Sequence, residues 1–298
     1  ALEALLQMER RGAWSDGSLK RITAQAGLDG RDAALCTHLT YGVVQNRTLL
    51  DFYIDGWCSQ RAAWLETVVA CALRLGIYQI LFMDKVPDRA AVHETVELVK
   101  RHGKNRAAGM VNAVLRKCAA SKNALPPLPH KGAAERLTVQ YSHPKWLVER
   151  LIALVGEQEA EEFLRLDNEP VPTVIQTNTL KTTPDALAEE LRASGVQVQA
   201  HPWLTGCFEV TGTGDMARLP AFAEGRCTVQ DAAARLTAMV TGARKGDRVL
   251  DVCAAPGGKS FAMAMQMEDQ GEIRSCDIHP HKLKLIESGA ARLGITSV

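Results

Sequence analysis

The chain has 298 residues, of which 46% are hydrophobic and 23% charged, a composition that predicts two or three globular domains and excludes a largely disordered protein. Its 35 Lys and Arg residues balance 34 Asp and Glu residues, so affinity for nucleic acid would have to come from local basic patches. The N-terminus shows no signal peptide and no apolar run reaches about 18 residues, so we predict a cytoplasmic protein without a membrane span.

Cysteine spacing predicts no metal site, because the eight cysteines include no C-x-x-C pair. Cys36, Cys71 and Cys118 lie in apolar helical contexts, where a small hydrophobic residue would serve equally well. We therefore expect them to be buried, reduced thiols.

The first 120 residues have a helical pattern throughout. Apolar residues recur at three- and four-residue steps within 69–81, 92–99 and 110–118, and each stretch predicts one apolar face of a helix. We expect an all-α bundle over 1–120. Residues 121–132 contain three prolines and cannot continue a helix, so they predict a linker.

A small α/β subdomain is predicted over 133–222. It begins with a helical stretch near 145–166, and a later helix begins at Thr183-Pro184 and ends before Gly195. Its predicted strands are 173–177, 196–199 and 208–210.

The last predicted domain, 223–298, has the pattern of a parallel, doubly wound sheet at its beginning. A helix capped near Asp231 precedes a strand at 248–252, a glycine-rich turn and another helix. A second strand at 273–277 and a helix from about 280 to 293 follow. The predicted fold class is therefore multidomain, α and α/β.

The turn after the first of these strands is the motif that indicates chemistry. Its small residues let a ligand approach the backbone, and the N–H groups at the start of the next helix favour a carboxylate or phosphate. Two kinds of ligand are compatible with this turn. The spacing from Cys253 to Gly258-Lys259-Ser260 nearly matches a phosphate-binding P-loop, whereas Asp277, at the end of the second strand, is placed to accept hydrogen bonds from ribose hydroxyls. Alternatively, Asp277 caps the following helix.

Residues 251–260 resemble the cofactor loop of RNA cytosine-5 methyltransferases, and further segments resemble the bacterial Sun/Fmu-type (RsmB-like) family of 16S rRNA methyltransferases. These segments, in chain order, are 74–79, 92–96, 109–116, 141–147, 177–181 and 229–232. The resemblance extends over nearly the whole chain. It implies a NusB-like helical domain, an RNA-recognition-like subdomain and the start of a Rossmann-type methyltransferase sheet.

By this resemblance the cofactor is S-adenosylmethionine and the substrate is small-subunit ribosomal RNA. The implied cofactor-binding residues are Cys253, Ala254, Ala255, Pro256, Gly257, Gly258, Lys259 and Asp277. The implied reaction is covalent: a cysteine thiolate adds to carbon 6 of cytosine so that carbon 5 can attack the sulfonium methyl group. We expect a monomer when the protein is full length.

The family's nucleophile lies in a Pro-Cys motif, and none of the eight cysteines here follows a proline. Cys253 is assigned to cofactor packing, and Cys276 is predicted inside the second strand. Only two of some seven expected strands fit before Val298, and the sequence lacks an initiator methionine. We therefore expect a fragment that is inactive alone, with its nucleophile beyond Val298.

RNA contacts are predicted in two places. Basic residues cluster near one end of the helical domain, where they are either phosphate ligands or solvated helix ends: Lys100, Arg101, Lys104, Arg106 and Arg116. Asn178 and Lys181 follow a strand of the RNA-recognition-like unit, where the resemblance implies an RNA role. Two other functions remain open at this stage, a P-loop nucleotide-binding protein and an RNA-binding adaptor.

Overall fold

A computed structural model describes residues 1–11, 15–130 and 132–298. The chain forms two compact units, Ala1–Glu169 and Pro170–Val298. None of the described helices is both long enough and apolar enough to cross a membrane.

The first unit is helical. Its helices are α1 (Leu2–Arg11), α2 (Ser15–Gln25), α3 (Gly30–Gln45), α4 (Arg47–Trp57), α5 (Thr67–Phe82), α6 (Asp88–Arg101), α7 (Ala108–Ala120), α8 (Ala133–Tyr141), α9 (Lys145–Val155) and α10 (Glu157–Asp167). Short 3-10 turns at Ala62–Trp64 and Asn105–Ala107 precede α5 and α7.

Helix α5 is the centre of this unit. Sequence periodicity predicts a single apolar stripe on it, whereas the structure buries 12 of its 16 residues. A helix that is apolar on all sides is enclosed by other elements, and α1, α3, α4, α6 and α7 all contact α5. Gly76 lets α7 pack close to α5, because a Cβ atom on residue 76 would lie 2.8 Å from the Leu115 side chain of α7.

A buried cation interrupts the apolar surface of α5. The Arg74 guanidinium, whose side chain is 7% exposed, donates from Nε to Asp51 Oδ1 at 2.6 Å and from NH2 to Asp51 Oδ2 at 2.9 Å. It also donates to Glu9 Oε1 at 3.0 Å. A buried charge is costly unless it is paired. The partners of Arg74 lie on α4 and α1, so these bonds connect both helices to α5.

Helices α8, α9 and α10 form a small cluster in the same unit, with Leu137, Val148 and Leu164 as its buried core. Helix α8 also contacts α4. The division between the compact units at 169/170 falls inside the subdomain predicted over 133–222, whose bounds stay a prediction.

The second unit contains two sheets. Its elements are β1 (Thr173–Thr177), α11 (Pro184–Ala193), β2 (Gln197–Ala200), β3 (Cys207–Thr211), α12 (Pro220–Ala223), β4 (Cys227–Val229), α13 (Ala232–Val240), β5 (Arg248–Asp251), α14 (Gly258–Gln266), β6 (Glu272–Ser275) and α15 (Pro280–Leu293). A 3-10 turn at Met216–Arg218 precedes α12.

The first sheet is antiparallel, with strand order β2-β3-β1-β4 and with Ile175 of β1 opposite both Phe208 of β3 and Val229 of β4. One of its faces packs on α11, through a core that includes Ile175, Phe208, Leu187 and Leu191. This order, with its β-α-β-β connection, is that of a ferredoxin-like unit.

The second sheet consists of β5 and β6, which pair in parallel with Asp251 opposite Ser275. Helices α13, α14 and α15 accompany it, and their shared core includes Phe261, Met267 and Leu293. The predicted Asp231 cap is confirmed, because Asp231 accepts from the N–H groups of Ala233 and Ala234. The helix predicted to begin at Thr183-Pro184 is also present, and the Thr183 hydroxyl caps it by accepting from the Ala186 N–H. The predicted fold class is confirmed.

Candidate cofactor site and RNA-contact residues

The turn between β5 and α14 has a backbone that requires glycine. Gly257 immediately precedes α14 and has a φ of +111°. A Cβ atom there would lie 2.2 Å from Cζ of Phe261, one turn along the same helix. The Phe261 ring therefore packs directly against the glycine, so packing within α14 already requires a glycine at this position.

A buried carboxylate ties the two sides of this turn together. Asp251, at the end of β5, accepts from the Ser260 hydroxyl at 2.9 Å and from the Cys253 N–H at 3.3 Å. Ser260 in turn accepts from the Ser275 hydroxyl at 2.8 Å, which extends the chain of bonds to β6. Asp251 thus fixes the start of α14 relative to both strands.

The N-terminus of α14 has no side-chain cap. The first N–H groups of a helix have no acceptor within the helix, so this end attracts an anion or a polar ligand. Among the predicted binding residues, Cys253 and Pro256 are exposed, whereas Ala254 and Gly257 are buried. Ala255, Gly258 and Lys259 are partly buried.

Asp277 lies beside this turn but two residues beyond the end of β6. The Ala254 N–H donates to the Cys276 carbonyl at 2.9 Å, which joins the turn to the residue before Asp277. Asp277 Oδ1 accepts from the His279 N–H at 2.9 Å, and this bond holds the pKa of the carboxyl below its usual value. Because His279 occupies the N-cap of α15, the alternative that Asp277 is that cap is wrong. Asp277 is only partly buried, so its carboxylate can still accept from a ligand.

The cysteines predicted to be buried differ in exposure from the two that lie near the candidate cofactor turn. Cys36, Cys71 and Cys118 are buried and free, as predicted, and burial raises the pKa of the Cys118 thiol to about 12. Cys253 and Cys276 are free and exposed. The prediction that Cys276 lies inside the second strand is wrong, because β6 ends at Ser275.

No group of three or more His, Cys, Asp or Glu residues within 1–11, 15–130 and 132–298 is arranged to hold a metal ion.

Three family models match successive segments of the chain. The NusB family model matches residues 1–120, the ferredoxin-like domain of RsmF/B-like methyltransferases matches 143–217, and the 16S rRNA methyltransferase RsmB/F model matches 238–298. A probable ribosomal RNA small subunit methyltransferase B from Bacillus subtilis is 33% identical over 299 residues, which cover 100% of this chain and 66% of the relative. The chain belongs to the RsmB/F methyltransferase family.

Another relative is matched over a similar share of its length. A probable small subunit methyltransferase B from Synechocystis is 32% identical, covering 99% of the chain and 66% of its own length. The chain thus spans about two thirds of these RsmB/F relatives. The crystal structure of PH0851 shares the fold with a TM-score of 0.76 at 24% identity, covering 100% of this chain and 67% of that one. A methyltransferase homologue from Pyrococcus horikoshii has a TM-score of 0.52 at 26% identity, covering 56% and 55%.

The basic residues predicted to contact RNA lie around α6 and α7 of the NusB-matching segment. Two of them have acidic partners: Lys100 pairs with Glu97 at 2.7 Å, and Lys104 pairs with Glu66. No ion pair involves Arg101, Arg106 or Arg116 in the part of the chain that the structure describes. Lys100 and Arg116 line a groove of about 740 Å³ between α6 and α7, together with Arg89, His93 and Asn112.

Asn178 and Lys181 have other partners. Asn178 is fully buried; its Nδ2 donates to the carbonyls of Gly225 and Leu293 at 2.7 and 2.8 Å, and its Oδ1 accepts from the Leu180 N–H. Lys181 Nζ donates to the carbonyls of Glu224 and Arg292. These bonds satisfy carbonyls at the end of α15 and attach that helix to β1, while an RNA role for either residue stays a prediction.

We expect Asn178→Ala to lower the free energy of unfolding by about 2 kcal/mol, because two buried carbonyls lose their donor. Urea denaturation measures the change, with exposed Asn123→Ala as the matched control. Equal stability of the two variants would contradict the structural role.

Sequence reasoning missed a contact between the β5–α14 turn and the ferredoxin-like sheet. Gln230 follows β4, and its Nε2 lies 3.6 Å from where a Cβ atom on Gly258 would be. Both polar atoms of the buried Gln230 amide lack a hydrogen-bond partner among the described residues. The sequence signals at Gln230 were its place next to the Asp231 cap and in segment 229–232, which resembles the family, and neither specified this contact.

Proposed function

We propose that the protein takes part in the S-adenosylmethionine-dependent methylation of carbon 5 of a cytosine in small-subunit ribosomal RNA. The observation that carries the proposal is the pairing of an uncapped α14 N-terminus with a half-buried Asp277 just beyond the adjacent strand, whose carboxyl pKa is held below its usual value by the His279 N–H. Membership of the RsmB/F family supports it, as do the relatives named as small-subunit ribosomal RNA methyltransferases.

The residues of this turn suit such a cofactor. Asp277 would accept hydrogen bonds from ribose hydroxyls, and residues Cys253 to Lys259 would surround the rest of the molecule, with the α14 N–H groups available to a carboxylate. When bound, S-adenosylmethionine supplies an electrophilic methyl group. Asp251 and Ser260 would keep the loop in place without contacting the ligand, since both are buried.

A P-loop function is less well supported. In a P-loop the hydroxyl that follows the lysine binds Mg²⁺, so it has to be free. Here the Ser260 hydroxyl donates to Asp251 and Ser260 is fully buried. The helical domain remains a candidate RNA-binding adaptor, because Arg101, Arg106 and Arg116 supply charges that no acidic side chain described in the structure neutralises.

Asp277→Ala should weaken S-adenosylmethionine binding about tenfold, because the ribose would lose an ionised acceptor. Isothermal titration calorimetry measures the affinity, and the control is Asp185→Ala, which removes an exposed carboxylate in the first turn of α11. Unchanged affinity in Asp277→Ala would remove Asp277 from the site.

We also propose that the nucleophile is not among these eight cysteines. None follows a proline, and Cys71, Cys118, Cys207 and Cys227 are buried thiols whose pKa values burial raises. A protonated thiol is a weak nucleophile. Cys253 belongs to the proposed cofactor loop, which would place it on the side of the methyl donor rather than next to carbon 6 of the base.

Residues 1–298 alone should therefore transfer no methyl group to RNA. The assay is transfer of radiolabelled methyl from S-adenosylmethionine to unmodified small-subunit ribosomal RNA, with a full-length relative as positive control. Turnover that disappears in Cys253→Ser would contradict both the covalent assignment and the role given to Cys253.

A further inference from the structure

The ferredoxin-like sheet carries no exposed aromatic side chain on which an RNA base could stack, because its one aromatic residue, Phe208, is buried. RNA-recognition domains with a four-stranded sheet stack bases on aromatic side chains of that sheet. One face here packs on α11. On the other face, the Gln176 Nε2 of β1 lies 3.6 Å from the Met265 sulfur of α14, and Val174 shares a buried cluster with Leu204. An aromatic platform for a base would have to lie outside the sheet.

The loop between β2 and β3 carries such a platform. Trp203 is 67% exposed, and the His201 ring meets it edge-on with 4.9 Å between centroids. The loop is well anchored: the His201 N–H donates to the Cys207 carbonyl at 3.0 Å, and the Thr177 N–H donates to the Gly206 carbonyl at 2.9 Å. The exposed ring is therefore held on a fixed backbone.

This loop and the candidate cofactor loop meet the same end of α13. Leu204, the neighbour of Trp203, is buried in the cluster against which Ala232 packs. Gln230, two residues before Ala232, lies against Gly258 at the start of α14. A polynucleotide with one base at the cofactor loop would have a neighbouring segment close to Trp203.

The chemistry of the surface favours a nucleobase over a protein partner. Trp203 is a single large exposed ring between exposed Pro202 and buried Leu204, whereas a stable protein interface buries about 800 Å² on each side. A single exposed aromatic ring on a fixed loop suits stacking on one base.

We propose that Trp203, supported by His201, stacks on an unpaired base of the RNA substrate next to the base that is methylated. This inference rests on the proposed function for the identity of the ligand. It assigns RNA positioning to the β2–β3 loop rather than to the sheet face or to Asn178.

The test is binding of a fluorescein-labelled single-stranded decacytidylate, followed by anisotropy, to the chain and its variants. Trp203→Ala should weaken binding about tenfold, as expected for loss of one base–aromatic stack, whereas Trp203→Phe should retain most of the affinity. Trp146→Ala is the matched control, because Trp146 is 66% exposed but lies in the other compact unit. In the unlabelled complex, quenching of tryptophan fluorescence should disappear in Trp203→Phe.

Equal affinities of Trp203→Ala and Trp146→Ala, or no binding of decacytidylate by the parent chain, would overturn the proposal. A dimer in sedimentation velocity that Trp203→Ala abolishes would also overturn it, in favour of a protein contact. S-adenosylmethionine affinity, measured by calorimetry on the same variants, should not change. If the parent chain did not bind S-adenosylmethionine, that result would count against the proposed function, whereas the effect of Trp203→Ala on decacytidylate binding would be judged independently.

Discussion

Gly257→Val is expected to abolish S-adenosylmethionine binding and to lower the free energy of unfolding by about 3 kcal/mol. The sequence predicted the loss of binding from a side chain that blocks the ligand. The structure adds a cause within the protein: φ is +111°, and the new Cβ atom would lie 2.2 Å from the Phe261 ring. Calorimetry and urea denaturation measure the two effects.

Two other glycines provide the controls. Gly242 also has a positive φ, +64°, but a Cβ atom there meets nothing within 4 Å, so Gly242→Val carries the backbone cost without the contact. Gly258→Ala places its Cβ atom at an ordinary distance of 3.6 Å from Gln230 and should fold normally. If Gly257→Val were as stable as Gly242→Val, the packing of Phe261 against the turn would not matter.

Asp51→Ala is expected to destabilise the helical unit by about 3 kcal/mol, because it removes the bidentate partner of a buried cation. Arg74 would keep only its bond to Glu9. The double variant Arg74→Met/Asp51→Leu should recover much of the lost stability, since apolar side chains can replace a buried ion pair and Glu9 retains Arg47 as a partner.

Glu162→Ala is the surface control for this experiment, because the Glu162–Arg165 pair is exposed and should change stability little. Thermal and urea unfolding of the three variants and the parent protein measure the difference. An Asp51→Ala protein as stable as Glu162→Ala would show that the Arg74 network is not required.

Local signals predicted most of the elements. The Asp231 cap and the helix start at Thr183-Pro184 were predicted because start signals act within about three residues of themselves, and both are present. Strand β1 and helix α15 were predicted at their observed bounds or close to them, since periodicity and flanking prolines are also local.

Long-range partners were beyond local signals. The family resemblance implied an RNA role for Asn178, which stays a prediction, but nothing near Asn178 in the sequence indicated that its side-chain amide donates to the carbonyls of Gly225 and Leu293, 47 and 115 residues away. Strand β4 has three residues, too few for a period, and exists because it pairs with β1. The Phe261 ring over Gly257 likewise depends on how α14 begins, which the glycine-rich turn did not specify.

The central claim is that the turn between β5 and α14, together with Asp277, binds S-adenosylmethionine. Its most direct test is calorimetric titration of the protein with S-adenosylmethionine and, separately, with ATP and Mg²⁺. We expect saturable binding of S-adenosylmethionine at one site, weakened in Asp277→Ala, and no binding of ATP. Binding of ATP with Mg²⁺ and none of S-adenosylmethionine would contradict the assignment and restore the P-loop alternative.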